Sequence, residues 1–423
     1  MIPEWFTDAK LGIFIHWGIY SVKGISESWS FFRGQISYED YMKQCDGFTA
    51  SKWDPAAWAD LFRHAGAGYA VLTTKHHDGV ALWDTKLSGL SVVKRTPAKR
   101  DLIAPYCEAL RKAGLRVGLY FSHLDWSHPD YASLTSTSPD NRNKYNHPSG
   151  GDDRAAWNRF IAFHRGQLEE LCTKYGKIDL LWFDGDWERT GEEWRMDELV
   201  KKLRAWQPGI VLNSRLNGHG DYATPEQAMP IVPPDGPWEF CMTVNDSWGY
   251  QGHDTNWKSP RQIIRIFAET VGMGGNLLLD IGPREDGSIP AEAVERLEEL
   301  GSWIGRNREA IKGSKAGMPA GHFYGASTLA KDGKTVYLIL FDRPWDQVAV
   351  KGIRNKIKAV TVMGSEVQLK HQVVGGASWM NLPGIIWIDV PEAVLDKYAT
   401  VIKVELEGEL DLYTGRGGEI TAN

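Results

Sequence analysis

Cysteine is scarce in this chain of 423 residues: Cys45, Cys107, Cys172 and Cys241 stand far apart and form no C-x-x-C pair. That excludes a metal knuckle or redox motif built on such pairs, and buried free thiols are the expected state. No run of about 18 apolar residues occurs, so no segment is suited to span a bilayer as a helix. The net charge is −6 and no long basic run is present. This argues against nucleic acid or an anionic membrane as the main partner. The opening residues, MIPEWFTDAKLG, lack the basic, apolar and small-residue sections of a signal peptide. The compartment stays open: cytoplasmic, or secreted or periplasmic for a processed form. There is no internal repeat, no low-complexity tract and no H-x-H after an early strand. GNLLLDIGPREDGSIP at 275–290 lacks G-x-x-x-x-G-K and reads as a strand, a turn and the start of a helix.

Aromatic residues are abundant, with 19 Trp, 15 Tyr and 14 Phe. Trp17, Trp29, Trp83, Trp126, Trp182, Trp187, Trp238 and Trp248 sit beside polar residues at expected strand ends. Their flat faces suit stacking on the apolar C–H faces of sugars. A hydrophobic content of 42 % with 24 % charged residues is that of a soluble globular protein, and the length allows two domains.

Short apolar strands alternate with amphipathic helices over the first three-quarters of the chain. Strands are expected at 11–17, 69–75, 115–122, 178–184, 209–214, 238–244 and 275–281. Helices are expected at 37–45, 55–66, 101–113, 153–175, 193–206, 260–273 and 290–311. Continuous apolar strands separated by helices indicate a parallel sheet covered on both faces. The pattern fits an α/β (β/α)8-like barrel, regular or irregular, over residues 1–313, with the eighth strand unassigned. From 314 to 423 alternating β-rich segments replace the helices: 326–330, 335–341, 346–350, 358–363, 366–373, 384–390 and 400–406. KDGK at 331–334 is a hairpin turn, and the whole reads as a C-terminal antiparallel β-sandwich that braces the barrel.

The run LLWFDGDW at 180–187 is a strand ending in acid. Alternation puts Leu180, Trp182 and Asp184 on one face and Leu181 and Phe183 on the other. A carboxylate beside an indole at a barrel strand's C-terminal end is the usual place for catalysis. Polar groups follow the other strands too: His16; His76, His77 and Asp78; His123, Asp125 and Trp126; Asp186; Arg215. In a barrel all of these ends share one face, and the polar stretch 127–152 reads as a loop near it.

Retaining glycosidases need two carboxyl groups, one as nucleophile and one as acid/base. Asp184 is the first candidate; Asp186 competes, but Gly185 should turn the chain before it. Two glutamates could be the second group. Glu226 lies in the Pro-bounded segment GDYATPEQAMP, and Glu239 opens a strand beside Trp238. Glu239 also reads as a buried, hydrogen-bonded group. His16, His76 and His77 could bond sugar hydroxyls or bind a metal. Adjacent His76 and His77 would point to opposite faces of a regular strand. Arg215 could bind a hydroxyl, hold Asp184 ionised or form a structural ion pair.

Taken together, HWG, KHHDGV, GLYFSHLDW, LLWFDGD, TPEQ, WEFCMTVNDSWGY and GGNLLLDIGPREDG resemble the motifs of α-L-fucosidases of glycoside hydrolase family 29, in the same order. The resemblance covers roughly residues 3–313. It implies retaining, exo-acting removal of α-L-fucosyl groups by double displacement, with no metal or cofactor. Asp184 matches the nucleophile. His16, His76, His77, Trp182 and Arg215 match residues of the fucose pocket, and Trp248 an aromatic near the sugar's methyl group. Tyr120–Phe121 stands in the strand-three motif that contributes a tyrosine, with either position able to face the sugar. Glu27-Ser28-Trp29 splits the family's Glu-Trp pair. The acid/base falls at Glu226 in one branch and in a motif like that of Glu239 in another. Glu226 is favoured, because the acid must reach the leaving oxygen from the side opposite the nucleophile; Glu239 would then position substrate or the loop. The implied partner is a fucosylated glycan or glycoconjugate. The alternatives are a retaining barrel glycosidase of other sugar specificity and a non-catalytic fucose-binding protein.

Overall fold

The computed structural model describes residues 2–131, 154–343, 345–365 and 367–417. Most of the expected 127–152 loop lies outside the described residues. Among them, seven parallel strands form one curled sheet: β1 (Leu11–Ile15), β2 (Tyr69–Lys75), β3 (Arg116–Ser122), β4 (Leu180–Asp184), β5 (Val211–Leu212), β6 (Glu239–Thr243) and β7 (Asn276–Ile281). Their order is β5-β4-β3-β2-β1-β7-β6. Each falls within an expected strand.

The gap between β5 and β6 is bridged by residues 221–227. Asn213 pairs with Tyr222, Ala223 with Trp238, and Glu226 with Cys241, all in parallel. The Glu239 N–H donates to Ala223 O at 2.9 Å and the Cys241 N–H to Pro225 O at 3.1 Å. This segment takes the place of the eighth strand. Pro225 has no N–H to give a ladder, and Gln227 has a φ of +58°, so the stretch carries no regular strand signal. Glu226 therefore sits on the irregular closure of the barrel.

Side chains sort as alternation requires. Leu181 and Phe183 face outward into the main core under the helices. Leu180 and Trp182 face inward with Phe14, Val71, Tyr120 and Cys241. The N-terminal helix Glu4–Ala9 plugs the bottom: Phe6 lies 4.5 Å from the Tyr222 ring centroid and 5.9 Å from that of Tyr69. The interior is thus packed below and open only at the strands' C-terminal ends.

The covering helices have readable caps. Asp54 accepts the N–H groups of Ala56 and Ala57 ahead of Pro55–His64, and Ser259 with Gln262 makes a capping box before Pro260–Gly272. Two expected helices are broken: the first at Arg195, where φ is +51°, and the last at Asn307. A Cβ on Gly301 would stand 2.1 Å from His64 O, so Ala291–Arg306 packs backbone-close against the end of Pro55–His64.

Many tryptophans expected near the site are core instead. Trp17, Trp83, Trp126 and Trp238 are buried, and Trp17 packs among Phe48, Trp53 and Trp58. Their bulk fills the space between sheet and helices.

Beyond the last barrel helix, antiparallel strands form two facing sheets. One orders Ile357–Val362, Thr400–Leu406, Thr335–Leu340, Ala326–Leu329 and Lys315–Ala316; the other orders Gln347–Val350, Ile385–Asp389 and His371–Val374. They enclose Val336, Leu338, Ile386, Ile388, Ile402 and Val404. The expected strand 366–373 is shorter, starting at His371, and Gln368 makes only an isolated bridge to Thr361. Tyr337, Ile339 and Val401 face the other way and join the barrel's core, where the Trp303 indole N–H donates to Ala399 O at 2.8 Å. Among the described residues no helix is long and apolar enough to cross a membrane.

Trp303→Ala would remove a fully buried indole and this hydrogen bond at the seam. The expected cost is about 3–5 kcal/mol, read as a lower urea midpoint; an unchanged midpoint would show that the seam is held elsewhere.

Candidate active site

A cavity of about 230 Å³ opens at the C-terminal ends of the barrel strands. Its lining is Phe14, His16, Glu27, Trp29, His76, Tyr120, Trp182, Asp184, Trp187, Arg215, Glu226 and Trp248. Asp184 ends β4 and points inward two residues beyond Trp182. The Tyr120 hydroxyl, opposite Trp182 in the β3–β4 register, donates to Asp184 Oδ2 at 3.0 Å. Tyr120 thus faces the cavity, while Phe121 packs outside the barrel against His164.

Arg215 follows β5. Its Nη1 donates to Asp184 Oδ1 at 2.5 Å and its Nη2 to Glu226 Oε2. The guanidinium lies 4.6 Å from the Trp182 ring centroid, a cation–π contact. Burial disfavours its charge, but Asp184 and Glu226 outweigh that and raise its pKa. A permanently positive group therefore stands between the two carboxylates.

Three histidines converge on the same space. The His16 Nδ1 lies 2.6 Å from Asp280 Oδ1. His76 Nδ1 lies 2.6 Å from Ser28 Oγ, and His77 Nδ1 lies 2.6 Å from Ser122 Oγ. Burial holds all three rings well below the ordinary imidazole value, so they stay neutral. His76 and His77 are not on opposite faces as a regular strand would require. The strand stops at Lys75 after a register shift, and the chain turns through Gly79, bringing the two rings to 4.2 Å between centroids. His77 is buried just behind the lining, its Nε2 3.7 Å from Asp184 Oδ2.

Glu239 stands elsewhere. It is fully buried among the inward side chains Trp182, Tyr222 and Tyr69 and does not line the cavity. Its Oε1 accepts from Trp182 Nε1 at 3.0 Å and from the Tyr222 hydroxyl at 3.3 Å, and its Oε2 from the Tyr69 hydroxyl. It orients the Trp182 indole rather than facing a substrate. Burial, opposed by these three donors, pushes its pKa up to about 7. Glu27 is also buried but does reach the cavity, accepting the Gly249 N–H. Burial raises its pKa.

Other polar residues expected at this rim form the layer beneath. Asp125 pairs with the buried Lys75 at 3.0 Å, Asp78 accepts from Tyr41, and His123 lies between His164 and Arg215 O. Gly185, at φ +88°, turns Asp186 away to accept the Asn217 N–H. Phe14 and Asp280 are site residues that sequence reading did not single out. Phe14 shares the parity of His16 along β1 and could have been found on that ground. The Asp280–His16 contact joins positions 264 residues apart and leaves no local signal. Among the described residues no three His, Cys, Asp or Glu side chains are grouped to hold a metal ion.

A closed parallel barrel with two carboxylates on one guanidinium, an aromatic wall and neutral imidazoles defines the class of a barrel glycoside hydrolase. The sequence model of one such family, Alpha-L-fucosidase, matches residues 1–309. Tissue alpha-L-fucosidases of Bos taurus and Homo sapiens are each 32% identical over 95% of this chain, covering 88% and 89% of those proteins. The structure of alpha-L-fucosidase isoenzyme 1 from Paenibacillus thiaminolyticus superposes with a TM-score of 0.86 at 36% identity, covering 96% of this chain and 98% of that one. A family 29 alpha-L-fucosidase from Bacteroides thetaiotaomicron, solved as a trapped covalent intermediate with 2-fluoro-fucosyl fluoride, gives a TM-score of 0.82 at 27% identity over 96% of both chains. The chain belongs to the alpha-L-fucosidase family, glycoside hydrolase family 29.

The raised Glu239 pKa has a stability signature. From about pH 4.5 to pH 7 the folded protein holds a proton that the unfolded chain has lost. This contribution is full below that window and is lost as the pH rises through about 7. Glu239→Gln mimics the protonated form and lacks the dependence. The variant's melting temperature relative to the parent should therefore rise between about pH 5 and pH 8; a constant difference would show that Glu239 is ionised throughout.

Proposed function

We propose how this α-L-fucosidase, a retaining enzyme acting by double displacement, divides its reaction among the residues of the cavity. Asp184 attacks the anomeric carbon as the glycosidic C–O bond breaks, and Glu226 gives its proton to the departing oxygen. A fucosyl ester on Asp184 remains. Glu226, now a carboxylate, takes a proton from water as that water's oxygen attacks the same carbon. The ester bond breaks, Asp184 leaves as carboxylate and Glu226 is again protonated. Two inversions give net retention.

The observation that carries this division is the shared guanidinium. Asp184 and Glu226 are bonded to the two terminal nitrogens of Arg215, so they stand within its span. That closeness suits a retaining pair, about 5–5.5 Å apart, rather than an inverting pair at about 6.5–9.5 Å. Arg215 and the Tyr120 hydroxyl each donate to one oxygen of Asp184 and so aim it for attack, and Trp182 is fixed beneath the sugar by Glu239. Glu226 is about one-third exposed, open to the leaving group, whereas Glu239 has no route to it.

The cavity is smaller than the roughly 300–1,000 Å³ of drug-sized ligand sites and suits one sugar ring. This supports exo action on the terminal fucose of a glycan or glycoconjugate. Phe14 and Trp248, 6.0 Å apart between centroids, offer an apolar wall. Fucose presents a methyl group there; a hydroxymethyl group would bury an unpaired hydroxyl, at a cost of about 1–3 kcal/mol. No metal enters this chemistry, and activity should survive prolonged chelation; loss of activity that added divalent ions restore would overturn that.

Nitrophenyl α-L-fucoside with azide provides the test. Asp184→Asn should be inactive. Glu226→Gln should lose about 10²–10⁴-fold in turnover, and azide should restore it with α-fucosyl azide as product, since azide attacks the ester without a base. Revival of Glu239→Gln in place of Glu226→Gln would transfer the acid/base role.

A further inference from the structure

His76 and His77 are neighbours in sequence and in space, but the groups behind them differ. Ser28 is fully buried, and its Oγ already accepts the Asp78 N–H at 2.9 Å. The other contact of that oxygen is His76 Nδ1. Its single proton therefore has one place to go, and Ser28 donates to Nδ1. Nδ1 is then a bare acceptor, and the ring's proton sits on Nε2.

Ser122 is equally buried, but it spends its proton differently. Its hydroxyl donates to Leu124 O at 2.8 Å. Toward His77 it can only accept, so His77 Nδ1 carries the proton and Nε2 is bare. Reversing this would leave the buried Leu124 carbonyl without its donor. The far side of the ring agrees. His77 Nε2 is buried with no hydrogen-bond partner in the protein and stands 3.7 Å from Asp184 Oδ2, beyond hydrogen-bond length. An N–H would be drawn to that carboxylate; a lone pair is not.

We propose that Ser28 and Ser122 are positioning residues that lock His76 and His77 in opposite tautomers, so that His76 offers the cavity an Nε2–H donor while His77, behind the lining, turns a bare Nε2 toward Asp184. The His76 Nε2–H reads a hydroxyl in the cavity as an acceptor, and the bare His77 nitrogen leaves Asp184 Oδ2 free of a second donor. Neutrality is required, since an imidazolium would donate from both nitrogens, and burial keeps both rings neutral. The functional consequence rests on the reading that this cavity holds the fucosyl ring, but the tautomers themselves do not.

The test uses the full chain labelled with ¹⁵N-histidine. Long-range ¹H–¹⁵N spectra report which ring nitrogen bears the proton, with His76 and His77 assigned by loss of their signals in His76→Gln and His77→Gln. The expected result is Nε2–H for His76 and Nδ1–H for His77. The same tautomer in both rings, or a doubly protonated ring, overturns the proposal whether or not the enzyme is active. Ser122→Ala should release His77 into a tautomer mixture and lower kcat/KM by about tenfold, the worth of one hydrogen bond. Ser122→Thr keeps the hydroxyl and should restore both readouts. Ser28→Ala should do the same to His76 alone. Tautomers that stay unchanged in both alanine variants would overturn the positioning role.

Discussion

The guanidinium of Arg215 is the point on which the active site depends. It bonds Asp184 with one nitrogen and Glu226 with the other, while its face lies on Trp182. The cation therefore ties the two proposed reacting carboxylates to one another and to the aromatic wall.

Everything around that pair is arranged from below. Glu239 accepts from three donors and holds Trp182; Ser28 and Asp280 hold the Nδ1 edges of His76 and His16, which line the cavity, and Ser122 holds that of His77 behind it. These supports are fully buried, Glu239, Ser122 and Asp280 on strands and Ser28 at the start of the short helix Trp29–Phe32, where the core allows little movement. The residues that meet the sugar are thereby oriented before it arrives, which is how a preorganised site lowers the cost of reaching the transition state.

Much of this was legible in the sequence because it follows from periodicity. The inward triplet Leu180, Trp182 and Asp184, the seven strands and the hairpin at 331–334 are all local patterns. The cavity gathers His16, Glu27, Trp29, His76, Tyr120, Trp182, Asp184, Arg215, Glu226 and Trp248 from the ends of successive barrel strands and the loops that follow them. What the pattern could not show is what depends on three-dimensional neighbours. Trp17 and Trp126 look like site aromatics beside polar residues, yet they fill core gaps. His76 and His77 share a side only because the strand ends one residue earlier. Glu239 and Glu226 are both candidate acids in the sequence, and nothing local shows that only Glu226 lines the cavity. The closure at 221–227 has no alternation, because its order comes from the strands on either side.

That closure makes the barrel uneven. Six neighbouring pairs are joined by regular ladders, whereas the seam at 221–227 rests on isolated bridges around a proline. Fraying in a protein begins where few bonds must open together. Here the least regular stave of the barrel carries Glu226, the proposed acid, while Asp184, the proposed nucleophile, ends a strand paired on both sides. On those proposed roles, opening of the seam would shift the acid and leave Asp184 in place. The barrel thus assigns compliance to one carboxylate and rigidity to the other.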